Sequence, residues 1–256
     1  MNTRAHPTVR PYALALGVLP DPYLSEGLSF LGPGLAEDAP SALFSDTLGA
    51  LSTFPVRHRV VLNAVGDGVS KPLRLPATWR ETPQRGETAA ARVQTAIEEL
   101  IGLGAEAALL VLAEGPMLPL GPLFDGLMWL LPKGRVLLGG LDGGGLYAVG
   151  AAAAPEFLSG LGDGLVLGER GAPGPILPGS AAAARQAADR AGLEVQELDT
   201  IYRIDGKAAL LRLQGEVAPG VFEPRCRQVF ARPELRAALP ACGRGPPRGD
   251  GDRQTA

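Results

Sequence analysis

Gly104-Ala-Glu-Ala-Ala-Leu-Leu-Val-Leu-Ala-Glu-Gly-Pro116 decides the fold, together with Arg135-Val-Leu-Leu-Gly-Gly-Leu-Asp-Gly-Gly-Gly-Leu-Tyr-Ala-Val-Gly150. Ala107 to Leu112 is an unbroken apolar run bounded by polar and turn residues. Such a run suits a strand buried on both faces of a mainly parallel sheet. It gives out at Glu114-Gly115-Pro116, which sets a carboxylate at the strand's carboxyl end. The second run, Val136 to Leu138, leads through Gly139-Gly140 to Asp142-Gly143-Gly144-Gly145. Glycines there let the backbone turn sharply and approach a ligand closely. In open α/β sheets ligands bind beyond the carboxyl ends of the strands, so Glu114 and Asp142 stand where chemistry is expected.

Working outward, the 256 residues suffice for one large domain or two small ones. With 46% hydrophobic and 20% charged residues, the chain is composed as a soluble globular protein. A net charge of −3 gives no general reason to expect nucleic acid or an anionic membrane as partner. Cys226 and Cys242 form neither a disulfide framework nor a C-x-x-C pair. With only His6 and His58, a His-rich zinc site is excluded, and His58 reads as a residue on the polar side of a strand. No apolar run approaches the ~18 residues a membrane span needs. Arg4 and Arg10 before Tyr12–Leu19 imitate a signal peptide, but the run stops at Pro20 and reads as a first buried strand. The expected compartment is the cytoplasm.

In chain order, strand one covers Tyr12–Leu19 in the centre of the sheet, followed by a long loop from Pro20 to Glu37. A helix over Asp38–Phe54 is predicted, with Asp38 as N-cap and Leu43, Phe44, Leu48 and Leu51 on one face. Strand two covers Arg59–Val65, and a short edge strand is expected near Thr78. Glu87–Leu103 is the clearest helix, with its apolar stripe on Ala91, Val93, Ile97, Leu100 and Ile101. Pro119–Leu131 reads as a helix whose Met128-Trp129-Leu130-Leu131 run is core. Strands over Val136–Leu138 and Leu146–Val149 follow, then a short helix over Ala154–Leu161, and a possible strand at Leu165–Leu167. A helix over Ser180–Gly192, a strand over Glu194–Leu198 and a helix over Gly206–Gln214 complete the alternation. Alternating strands and helices predict a three-layer α/β/α sandwich on a mixed, mostly parallel sheet.

Residues 1–10 read as a disordered lead-in, 11–215 as the domain, 216–240 as an appended helical segment and 241–256 as a disordered, Arg-rich tail. That tail reads as solvated rather than as a nucleic-acid tether. Carboxylates at neighbouring strand ends suit Mg²⁺ or Mn²⁺, which take oxygen ligands and share them with substrate phosphates. Glu114 and Asp142 are the candidates, with Asp205 of Tyr202-Arg-Ile-Asp-Gly206 as a third; ordinary turn acids are the alternative.

The chain resembles bacterial glycosyltransferase-like transferases of the GT-A nucleotide-sugar superfamily, the group found beside radical-SAM and selenoprotein gene sets. It is more distantly similar to phospholactate and molybdenum-cofactor guanylyltransferases. Leu31-Gly-Pro-Gly-Leu35 and Ala42–Leu48 resemble the family's first loop and helix, and Gln84–Val93 its Gln-Gly-x-Gly-Asp-Leu-Gly-x-Arg-Leu segment, with Arg92 at the arginine. Leu112–Pro119 resembles Gly-x-Asp-x-Pro-x-Leu-Pro, and Val136–Gly150 the Asp-Gly-Gly-Tyr-Tyr motif. Arg203-Ile-Asp205 stands at the family's Asp-Val-Asp. The chain also departs from the family. Leu28-Ser-Phe-Leu31 replaces Lys-Thr-Arg-Leu, Glu114 and Thr88 replace aspartates, Arg203 replaces the first Asp of Asp-Val-Asp, and Asp142 falls one residue early.

The resemblance implies a GT-A-like fold and a transferase acting on a nucleotide-sugar, with nucleotidyl transfer as a variant. It implies metal ligation by Glu114, Asp142 and Asp205, catalytic work for Asp142 and Asp205, and nucleotide contacts from Gly17, Arg92, Gly143, Gly144 and the first loop. The alternative is a degenerate relative that binds a nucleotide or a partner protein without turnover, as the missing first-loop cations suggest.

Overall fold

The computed structural model describes residues 12–20, 28–63, 75–113, 118–142, 145–158, 161, 180–204, 206–216, 232 and 233. Among them is one seven-stranded sheet in the order β3-β2-β1-β4-β6-β5-β7. The strands are β1 (Tyr12–Pro20), β2 (Val56–Asn63), β3 (Arg80–Pro83), β4 (Ala107–Ala113), β5 (Arg135–Leu141), β6 (Leu146–Ala151) and β7 (Glu194–Ile201). Neighbours pair parallel except at β6, which runs antiparallel to both β4 and β5. The carboxyl ends of the other six therefore share one edge. The expected three-layer architecture with a mixed, mostly parallel sheet is the one found.

Two apolar runs form the middle of the sheet. Apart from Gly17, every residue of Leu14–Leu19 and Ala107–Val111 counts among the buried hydrophobic core, as continuous apolar sequence between two helical layers requires. The helices are α1 (Pro33–Leu51), α2 (Ala89–Gly102), α3 (Leu120–Trp129), α4 (Ser180–Arg190) and α5 (Lys207–Glu216). On one face α2 lies close to β1, because a side chain at Gly17 would come within 2.8 Å of Leu100 Cδ1 and Leu110 Cδ1. Ala181 of α4 faces Gly140 on that side as well. Opposite, Gly126 of α3 lies on Leu137, and Leu130 fills the space that a side chain at Gly150 would take. Phe54, just past α1, meets Phe124 of α3 edge-on with ring centroids 5.5 Å apart. Leu130 is buried, and Met128, Trp129 and Leu131 pack against the core as expected.

Several boundaries differ from expectation. The first helix starts at Pro33, not Asp38, because Gly32 at φ +84° turns the chain and proline's fixed φ suits the first helical position. Asp38 caps nothing; its carboxylate pairs with Arg232 at 2.6 Å. Pro40 sits inside the helix instead of in its first turn. Part of the long loop is thus helical, with a 3-10 turn at Ser29–Leu31. β2 begins earlier, at Val56, where it pairs with Tyr12. The edge strand is Arg80–Pro83, since Trp79 is buried and tied by Nε1 to Ser52 Oγ at 2.7 Å. The helix expected over Ala154–Leu161 is, among the described residues, a 3-10 turn at 156–158. β7 runs on to Ile201 because its pairing with β5 continues to Leu141. The possible strand at Leu165–Leu167 and most of the appended 216–240 segment lie outside the described residues.

A second apolar cluster sits apart from the main core. It joins Leu28, Leu31, Leu35 and Leu43 to Tyr202, Ile204, Leu210 and Leu213. The first half of α1 belongs to this cluster, while Phe44, Leu48 and Leu51 belong to the main core. Helix α1 therefore couples the β1–α1 connection to the segment beyond β7. No helix among the described residues is long and apolar enough to cross a membrane.

Candidate functional site at the carboxyl edge of the sheet

After β1 the chain moves outward to β2 and β3, then returns to place β4 on the other side of β1. The carboxyl ends of β1 and β4 are thus the topological switch point, the place where open α/β sheets bind their ligands. Pro20 and Ala113 are register partners there. Glu114 is the next residue after Ala113 and lies outside the described residues, as do Gly143, Gly144 and Asp205.

Asp142 is described, and it sits at this edge. Its backbone N–H donates to the Ile201 carbonyl at 2.8 Å, which ties the end of β5 to the end of β7. The Leu141 N–H donates to the Gly145 carbonyl at 3.1 Å and closes the turn into β6. The ladder slips beside this turn: β6 carries an extra residue opposite Gly139–Gly140, and β7 carries one opposite Gly139–Leu141. The irregularity lies on both neighbours of β5, so β5 delivers Asp142 without a bulge of its own. The Asp142 carboxylate is solvent-exposed and lies 3.8 Å from Arg212 Nη1 of α5. The Arg212 guanidinium lies 3.8 Å over the ring of Tyr202, a favourable cation–π distance. Tyr202 is buried in the second cluster, so the stacking partner is fixed.

Tyr147 holds the turn from beneath. Its ring lies on Gly139, where a side chain would come within 2.6 Å of it, and its hydroxyl donates to the Asp199 carbonyl at 3.2 Å. Burial, and next the Asp199 carboxylate, push its phenol well above the ordinary range. Tyr147 is a neutral structural donor.

Gly17 lies within β1, three residues before Pro20, and its near neighbours are the leucine tips of α2, β4 and β2. What is described for it is a packing role that brings α2 against the sheet. Arg92 lies near the start of α2, at the same edge. Its Nε donates to the Gly86 carbonyl at 3.2 Å, and Thr88 Oγ1 caps the helix by accepting from the Ala91 N–H at 3.1 Å. Gly86 has φ +127°, and a side chain there would come within 2.6 Å of the Arg92 backbone nitrogen. Gln84 anchors the same loop, donating through Nε2 to the Leu62 carbonyl at 2.9 Å. Gln84–Arg92 is thus one built unit between β3 and α2.

Leu28 and Leu31, which stand at the family's first-loop cation segment, are buried in the second cluster against Ile204 and Leu210. His58 is half-buried on β2 near the end of α2, away from this edge. No group of three or more metal-ligating side chains occurs among the described residues, and two of the three expected ligands are not among those residues.

The architecture matches solved structures. One is the "putative nucleotide-diphospho-sugar transferase" of Desulfovibrio desulfuricans G20, at 17% identity over 89% of this chain and 97% of that one, with a TM-score of 0.69. The fold is GT-A-like. Rv0371c of Mycobacterium tuberculosis H37Rv matches at 13% identity over 81% of this chain and 100% of that one, TM-score 0.43. The 2-C-methyl-D-erythritol 4-phosphate cytidylyltransferase of Thermus thermophilus matches at 17% identity over 87% of this chain and 96% of that one, TM-score 0.37. Those last two likenesses are too loose to bear on function. No protein-family model and no curated protein matches the sequence.

Sequence reasoning missed Arg212 and Gly86. Arg212 carries no motif, and only the packing of α5 brings it to Asp142. Gly86 had a legible signal: a glycine just ahead of a strong helix start.

Proposed function

We propose that this protein is a nucleotide-sugar-dependent transferase working at the carboxyl edge of its sheet. The observation that carries the reading is the switch point between β1 and β4, with Glu114 next in sequence to its end and Asp142 tied to the same edge through Ile201. The GT-A-like fold and the motif resemblance support it.

A divalent metal suits the residue types. Glu114, Asp142 and Asp205 are all oxygen donors, which suits Mg²⁺ or Mn²⁺. The exposed Asp142 carboxylate, only loosely paired with Arg212, is accessible to a hard cation. When bound, the ion would neutralise charge on the departing nucleoside diphosphate. The acceptor nucleophile attacks the anomeric carbon, the bond from that carbon to the diphosphate oxygen breaks, and the acceptor's proton leaves to a base. Asp142 and Asp205 are the carboxylates proposed for catalysis. Arg92, Gly17, Gly143 and Gly144 are proposed to border the nucleotide, and nucleotidyl transfer is the chemical variant of the same site.

Titration calorimetry of the full chain with UDP, GDP and their sugar conjugates, with and without Mn²⁺, tests this reading. Metal-dependent binding of one nucleotide is expected, and Glu114→Ala is expected to abolish metal-dependent turnover. Full activity in that variant would sink the assignment. The burial of Leu28 and Leu31 favours a second reading, a relative that binds a nucleotide or a protein without turnover. Absence of binding across the panel would favour the protein-binding form of that reading, and sugar transfer by the purified wild type would end it.

A further inference from the structure

A diphosphate bound at this edge needs positive charge, and the first βα unit supplies none. No lysine or arginine occurs between Arg10 and Arg57, whereas Asp21, Glu26, Glu37, Asp38 and Asp46 all fall in that span. Leu28 and Leu31 are given over to the second cluster. Cation must reach the edge from elsewhere.

Beside Arg92, Arg212 is a side chain placed to bring it. It projects from α5, the helix that Leu210 and Leu213 anchor in that same cluster, and lies 3.8 Å from the Asp142 carboxylate. Tyr202 backs the guanidinium at 3.8 Å and limits its freedom, which reduces the entropy lost when it grips a ligand. The side chain is about half exposed, at 53%, so solvent and an anion can reach it. A planar guanidinium suits bidentate recognition of phosphate oxygens.

We infer that Arg212 joins Arg92 in holding the diphosphate in this site, giving up its contact with Asp142 for the nucleotide when a metal ion takes the carboxylate. The inference rests on the transferase reading and adds a residue to it. It makes two opposed predictions. Arg212 should favour the nucleotide, and because its charge lies beside Asp142 it should disfavour the metal alone.

The test is calorimetry on the full chain and on Arg212→Ala and Arg212→Lys, with Mn²⁺ alone and then with UDP and GDP in the presence of Mn²⁺. Loss of a charge-assisted contact should weaken nucleotide binding at least about tenfold in Arg212→Ala, with part restored in Arg212→Lys. Binding of Mn²⁺ alone should be unchanged or tighter in Arg212→Ala. A merely structural arginine would weaken both ligands together and lower the unfolding temperature, and that result would overturn the inference. It would equally fall if wild type and Arg212→Ala bound the nucleotide within about twofold of each other. If the wild type binds neither nucleotide, the transferase reading itself falls and this inference with it.

Discussion

At the scale of single residues, two glycines show how differently the same atom can matter. A methyl group at Gly17 would meet the tips of Leu100 and Leu110 at 2.8 Å, and leucine tips can turn aside. A methyl group at Gly86 would meet the Arg92 backbone nitrogen at 2.6 Å, and φ there is +127°. Backbone cannot yield, and L-residues resist that conformation. Gly86→Ala should therefore cost about 2–3 kcal/mol and Gly17→Ala about 1 kcal/mol. Urea unfolding of the two variants checks the order; an equal or reversed cost would refute the account. The positions also differ in legibility. Asp142 was marked as a candidate by its place at a strand end and Arg92 by the family resemblance. Arg212 was not, since a lone arginine on a short helix has no pattern to mark its neighbour.

At the scale of elements, α1 and α5 form a unit with the turn at Ser29–Leu31. Leu210 is fully buried among Leu28, Leu31, Leu35 and Leu43, which come from the opposite end of the domain in sequence. Leu210→Ala should cost about 2–5 kcal/mol through lost burial and the cavity left behind. If the cluster is one unit, hydrogen exchange should quicken in both α5 and the first half of α1, while β4 and α2 keep their protection. Faster exchange confined to α5 would show that the two are independent. The helix α2 was readable because its apolar stripe and its terminal glycines agree; its Thr88 cap and its start at Ala89 came from the folded chain. The start of α1 was misread because Asp38 and Pro40 imitate a helix start inside a helix. Local chemistry at those positions was overridden by Gly32-Pro33, which sets the chain's direction earlier.

At the scale of the whole molecule, the second histidine links stability to pH. Burial, then the cations Arg57 and Arg80, hold the His58 imidazole below its ordinary value of 6.5, and a hydrogen bond with the Leu103 backbone opposes them. The unfolded chain then takes up this proton near pH 6.5, and the folded chain takes it up only at lower pH. Stability from this group is full above that value and falls as pH drops toward the folded value. Urea midpoints measured from mildly alkaline to mildly acidic pH should decline less on the acid side in His58→Gln than in wild type; an equal decline would exclude His58 as a source. The layer architecture was already written in the primary structure, because unbroken apolar runs alternating with amphipathic helices have one economical way to be buried. So was the placing of acids after strand ends, since Glu114 and Asp142 close their runs in the chain itself. The strand order that makes β1 and β4 the switch point emerged from the folded chain alone. The same holds for Leu28 and Leu31 as core residues, and for the approach of Arg212 to Asp142. Those facts depend on contacts between residues far apart in the chain, and apolar surface is buried without regard to sequence separation.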